Sequence, residues 1–247
     1  MLRNSQGNYS FLKGGAAYSA GVIADDGYIV EHVRFTKPVP WKSGLDRAAA
    51  HLRSMGRPTA ALCAVELRSP KPFTFPGFAE FNKPYREALE GMGLMVDSNN
   101  PIARTNVAPE GNAPAEPSLY AFAYTTPAAD GRPSFVVSGA GEIDSGNPED
   151  VVRRGETSRE AMAEKARFVM SLIDGRVKGL GVTWQDVSVT NIYTVHSIDP
   201  LLRTEILPRI GTAELHGVVW YNTRPPVETI EFEVDVRGGT RESHLAG

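Results

Sequence analysis

The chain has 247 residues, 41% of them apolar and 22% charged, an ordinary globular mixture that can bury a core as one large domain or two small ones. A formal charge of -3, with no stripe of Lys and Arg, leaves no basic field to gather phosphates and argues against a nucleic-acid partner. The single cysteine, Cys63, excludes an intramolecular disulfide and a cysteine-built metal site and fits a reducing cytoplasm, while the N-terminus lacks a signal-peptide core and no run approaches about 18 apolar residues, so no membrane partner is expected.

The first elements read as strands at residues 16–24 and 28–36 around Asp26-Gly27, a pair suited to the positive φ of a hairpin turn. "SGLDRAAAHLRSM" follows, with a Ser start, Leu45, Ala48, Ala49 and Leu52 at helical spacing, and a stop at Gly56 and Pro58. "TAALCAVEL" is a buried strand, "PGFAEFNKPYREALEGMG" a short helix, and "RTNVAPEGNAPAEPSLYAFAY" (104–124) a hairpin around a Pro-rich loop.

A second series then begins with a strand at 119–128, a turn at Asp130-Gly131 and a strand ending in "VSGAGEI". "TSREAMAEKARFVMSLIDGRVKGLG" is the strongest helix of the chain, with a Ser or Thr N-cap, Glu160 just inside, and Met162, Ala166, Val169, Met170, Ile173 and Val177 on one side. The strand "VSVTNIYTVHS", a short helix "DPLLRTEIL" and a second hairpin, "LHGVVWYNTRPPVETIEFEVD" (215–235), close the series.

Each series therefore reads β-β-α-β-α-β-β. Arg104 to Leu119 and Leu215 to Ile230 both span 15 positions, which supports an internal duplication. The expected division is 1–117 and 118–247, with the strand at 119–128 either shared by both series or leaving one of them a strand short.

The order of elements and several short motifs resemble the Rid family of reactive intermediate deaminases, once called YjgF. "AYSAGV" at 17–22 is similar to the family's opening "PYSQAV", "VSGAGEI" at 137–143 to its "VSGQI", and "ARTNVA" (103–108) and "IEFEVDV" (230–236) to the two ends of its late hairpin. The resemblance implies an α+β fold of two tandem chorismate-mutase-like units, helices packed on one face of mixed sheets, assembled as a homo-oligomer, a trimer or a multiple of three. It also implies a cofactor-independent hydrolytic deaminase, 2-aminomuconate being the most specific substrate type within the family. Related barrels that act on chorismate, and a non-catalytic metabolite-binding protein, are the alternatives.

By the same resemblance Tyr18 and Arg104 match the substrate-contact tyrosine and carboxylate-binding arginine, Ser138 and Gly139 the serine-glycine ligand contact, and Glu231 the water-handling glutamate. Leu215, Tyr120 and "EHV" at 31–33 depart from the pattern, so each half keeps part of the set. The chemistry of those residue types agrees: a guanidinium fork at Arg104, helped by Thr105, suits a carboxylate, and a carboxylate at Glu231 suits deprotonation of water. Tyr18 and Tyr120 can donate to a second carboxylate or stack on a conjugated chain, and Gly139 lets a ligand approach the backbone. On a period-2 strand Glu231 and Glu233 share a face. The histidines show no ligand spacing, so no metal is expected, and Cys63 reads as core.

Overall fold

The computed structural model describes residues 1–128, 131–143, 145 and 147–247; Asp130, half of the turn expected at Asp130-Gly131, lies outside them. Thirteen strands fall within the described residues: β1 Leu2–Asn4, β2 Tyr9–Leu12, β3 Gly21–Ala24, β4 Tyr28–Pro40, β5 Leu62–Arg68, β6 Ala103–Pro109, β7 Ser118–Pro127, β8 Phe135–Gly141, β9 Val189–Tyr193, β10 Val219–Tyr221, β11 Thr223–Arg224, β12 Glu233–Gly238 and β13 Arg241–Leu245. They build a seven-stranded sheet, β1-β2-β3-β8-β12-β9-β10, and a six-stranded sheet, β11-β6-β5-β7-β4-β13.

The long helices are α1 Trp41–Ser54, α2 Phe75–Gly91 and α3 Arg159–Gly179. α1 begins at Trp41 behind Pro40, two residues before the expected Ser43. α2 is capped by Thr74, whose hydroxyl accepts from the Gly77 amide at 3.1 Å. α3 is capped by Ser158 and buries the six apolar residues of its expected stripe. Burial of each such side chain contributes about 1.5–3 kcal/mol, so that stripe suffices to seat the helix. Residues 199–210 form a further helical run broken by a π turn at Leu202–Ile206.

The α3 stripe packs with Phe135, Val137, Ile192, Phe232 and Val236 on the outer face of the seven-stranded sheet. α1 and α2 pack with Val33, Phe35, Val65, Leu67 and Phe122 on the outer face of the other. A small cluster of Tyr9, Phe11, Val22, Val30, Cys63 and Ala64 gathers strands of both sheets into one contact group, and burial pushes the Cys63 thiol up. The architecture is barrel-like and mostly sheet, with helices outside.

This corrects the expected two tandem Rid-like units, each with its own β-β-α-β-α-β-β sheet. β1 to β3, at the start of the chain, join the sheet of β8, β9 and β12, and β13, at its end, pairs in parallel with β4. Gly27 does take the expected turn at φ 80°, but β3 pairs with β2 and β8 while β4 pairs with β7 and β13, so the turn hands the chain from one sheet to the other. Neither expected hairpin closes on itself. β5 lies between β6 and β7, and β9 lies between β12 and β10, because a parallel neighbour has been inserted into each pair. The strand at 119–128 is the single strand β7 of the six-stranded sheet.

Candidate active site

β6 places Arg104 and Asn106, two apart on a period-2 strand, on the same wall of a cleft of about 910 Å³. Gly139 and Gly141 of β8, Glu233 at the start of β12, Tyr18, Asn82 of α2 and Arg176 of α3 complete its polar lining, with Lys13 exposed on its wall. Phe75, Phe78, Val227 and Ile230 supply an apolar side. Both sheets and two helices therefore contribute, and none of the contributors is adjacent in sequence to more than a few of the others.

Arg104 is 3% exposed. Its guanidinium carbon lies 4.6 Å from the centre of the Tyr18 ring and 4.8 Å from that of Tyr85, and its Nη1 donates to Asn82 Oδ1 at 2.9 Å. Among the described residues Nη2 is buried with no well-formed hydrogen bond, although the guanidinium and the buried Tyr85 hydroxyl interact, and Nδ2 of Asn106, whose Oδ1 is taken by Ser69 Oγ at 2.9 Å, is likewise without a partner. Two buried donors left unpaired on one wall are costly, each about 1–3 kcal/mol and more when charged, unless an acceptor arrives from outside. An oxyanion is the acceptor that fits a guanidinium.

Among the described residues Glu233 is the carboxyl that lines the cleft, and it is buried. Burial, then the charge of Asp235, raises it to about 8, against the pull of Arg176 and Arg104. Arg176 donates to the carbonyls of Ser138 and Gly139 at 2.8 and 3.2 Å, which fixes its guanidinium beside the same backbone. A Cβ on Gly139 would stand 3.0 Å from Glu233 Cδ and closer still to Oε1, so the absence of a side chain at 139 makes the carboxyl's place. A carboxyl that stays protonated at neutral pH can give a proton and then receive one.

The other expected site residues are distributed more widely. Thr105 points away from Arg104, donating to Asp235 Oδ2 at 2.6 Å inside the barrel, where Asn191 and Tyr193 also donate to Asp235 at 2.8 Å each. Ser138 is fully buried: its hydroxyl donates to Ser19 O at 2.6 Å and accepts from the Arg104 amide at 3.0 Å, tying β8 to the strand that carries Arg104. Tyr120 lies under the Arg68 guanidinium at 4.1 Å and borders a separate hollow of about 450 Å³ with Pro38, Pro109 and Glu116.

Glu231 is not among the residues lining the cleft. Its carboxylate meets His196 Nε2 at 2.9 Å and lies 3.9 Å from Arg224 Nη1. The reason is local: β12 starts only at Glu233, and the amides of Glu231 and Phe232 donate to the Glu142 carboxylate at 2.6 and 3.0 Å, so residue 231 is outside the period-2 register that would have paired it with 233. Glu142 in turn is held by Lys165 Nζ at 3.0 Å, both side chains fully buried. Arg176, Asn82 and Asn106 went unread in the sequence, and Glu233 was read only as sharing a face with Glu231. Glu233 offered one signal, a glutamate two positions beyond the motif-matched one; Arg176 offered none, since an arginine in the last turn of a helix is ordinary.

Among the described residues no group of three or more His, Cys, Asp and Glu is arranged to hold a metal ion, and no helix is long and apolar enough to cross a membrane. A cleft with unpaired buried donors and a high-pKa carboxyl, on a barrel-like pair of sheets, has the makings of a site for acid–base chemistry on a small organic acid.

The chain matches the family model described as 2-aminomuconate deaminase CnbZ over residues 1–243 and belongs to that family. It is 42% identical over 246 residues, 98% of this chain and 97% of the other, to a 2-amino-5-chloromuconate deaminase of Comamonas testosteroni. The chain is thus a deaminase, an enzyme acting on C–N bonds, of the type expected from the sequence. Among solved structures a chorismatase is similar in fold, at TM-score 0.51 and 14% identity over 89% of this chain and 77% of that one. A cyanuric acid hydrolase from A. caulinodans aligns at TM-score 0.42 and 12% identity, over 86% of this chain and 68% of that one. It is the chorismatase-like pair of mixed sheets that replaces the expected tandem units.

Proposed function

We propose that this cleft hydrolyses 2-aminomuconate, or a closely related conjugated amino-dicarboxylate, to ammonia and the 2-oxo acid, with Arg104 as carboxylate anchor and Glu233 as acid and base. The observation that carries the reading is the convergence of two unpaired buried donors, Arg104 Nη2 and Asn106 Nδ2, with the buried Glu233 carboxyl on one cleft.

The enamine needs little assistance beyond placement and proton transfer. Neutral Glu233 gives its proton to a carbon of the conjugated chain, the C=C bond shifts to C=N, and the nitrogen becomes an iminium. The carboxylate left behind takes a proton from water as its oxygen bonds to the iminium carbon. Proton transfer to nitrogen then lets the C–N bond break, ammonia leaves and the carbonyl forms. Arg104 and Asn106 hold the carboxylate next to the reacting carbon, and Arg176 and Lys13 supply positive charge for the second one. Tyr18 covers the guanidinium, lowering the dielectric in which the ion pair forms. Glu231, the residue singled out by motif, takes no part in this scheme.

The likeness to a chorismatase concerns fold and brings no activity with it. Ammonia release from 2-aminomuconate, measured for the wild type and for Arg104→Ala and Glu233→Gln, tests the reading. Undiminished turnover in Glu233→Gln, or in Arg104→Ala at low substrate, would remove it.

A further inference from the structure

Protonating an enamine carbon and ketonising an enol are the same proton transfer with nitrogen exchanged for oxygen. The 2-oxo diacid made by hydrolysis differs from its dienol only by one proton moved between carbon and oxygen, and that dienol has the planar conjugated skeleton and two carboxylates of the substrate. Among the described residues the cleft presents four donors suited to carboxylates or oxyanions, Arg104, Asn106, Arg176 and Lys13, whichever atom stands at the substrate's second carbon. Glu233, seated against the backbone of Gly139 near the Thr105 methyl, lines the same cleft as those donors.

Resting on the deaminase reading above, we infer that the same cleft has a second activity, a keto–dienol tautomerase of the unsaturated 2-oxo diacid it produces, with Glu233 as the proton carrier. In the ketonising direction the Glu233 O–H bond breaks and a C–H bond forms on the dienol chain. The enol O–H gives its proton to solvent as the carbonyl forms, and the carboxylate is reprotonated from solvent. The net change is an isomerisation with no oxidant, reductant or co-substrate. Charge that gathers on oxygen in the dienolate falls beside the guanidiniums of Arg104 and Arg176, the arrangement that stabilises such a transition state. By microscopic reversibility the enzyme also deprotonates the keto product, so the product leaves as a mixture set by the tautomer equilibrium.

The probe is 2-hydroxymuconate, the dienol of that product, followed in dilute buffer by loss of its absorbance and, in D2O, by the configuration of the deuterated carbon. Expected are an acceleration over buffer of about 10²–10⁴-fold, the range of a positioned acid–base group, and deuterium delivered to one face. Glu233→Gln should ketonise at the buffer rate while still binding muconate, whose saturable binding shows the variant folded. Buffer-rate, racemic ketonisation by wild-type protein that releases ammonia from 2-aminomuconate overturns the tautomerase and leaves the deaminase reading standing. Full ketonisation by Glu233→Gln overturns it as well. Ketonisation without ammonia release instead supports this activity and removes the deaminase reading for this cleft.

Discussion

Gly139 on β8 and Glu233 on β12 occupy one space: a Cβ at 139 would stand 3.0 Å from Glu233 Cδ and crowd Oε1 more closely. Two strands paired antiparallel through Glu233 and Gly141 thus leave a notch at 139 into which the carboxyl folds. Gly139→Ala should displace the carboxyl with little effect on the rest of the sheet. Overpacking of this kind costs about 1–3 kcal/mol, and a misplaced acid costs about 10²-fold in turnover. Steady-state ammonia release with a parallel urea denaturation checks both, and a fully active variant would place the carboxyl elsewhere.

The raised Glu233 gives two pH signatures of opposite experimental kind. Proton donation needs the neutral form, so kcat/KM should fall as pH rises through about 8, and Glu233→Gln should lose about 10²–10⁴-fold and the inflection with it. For stability, the folded chain keeps this proton up to about 8 whereas the unfolded chain has lost it near the ordinary 4.5. Between those values the native state binds the extra proton, so rising pH removes stability. Melting temperatures measured from pH 5 to 9 should decline less steeply in Glu233→Gln than in the wild type.

Arg104 joins its planar fork to Asn82 through Nη1, and in the proposed scheme Nη2 meets the substrate carboxylate. Arg104→Lys keeps the charge and loses the fork. With charge-assisted hydrogen bonds at about 1.5–3 kcal/mol, kcat/KM for the dicarboxylate should fall roughly 10- to 100-fold, mostly through KM. Equal loss with a substrate amide lacking that carboxylate would show that the guanidinium serves something else.

Glu142, fully buried and paired with the fully buried Lys165, accepts from the amides of 231 and 232 and thereby holds the approach to Glu233. Lys165→Met strands the Glu142 charge and should destabilise the fold by about 3–5 kcal/mol in urea unfolding. Adding Glu142→Gln should restore part of that, because the buried charge is gone while one acceptor remains. A double variant as unstable as the single one would count against this account.

Local sequence determined the helices and most strand segments, since a stripe such as Met162 to Val177 or a run such as Leu62 to Arg68 states its own period and burial. It also carried the deaminase type, through short motifs at 17–22, 103–108 and 137–143. β1, β2 and β13 went unread, being short segments of 3, 4 and 5 residues whose strand character comes from a partner. Which strands pair is a long-range choice made by the packing of both sheets together, so two expected hairpins were split by inserted neighbours. The cleft follows the same rule. Arg104 and Glu231 were both singled out by motif, but Glu233 and not Glu231 lines the cleft with Arg104, because β12 begins at Glu233 and the amide of Glu231 is turned to the carboxylate of Glu142, 89 residues away in the chain.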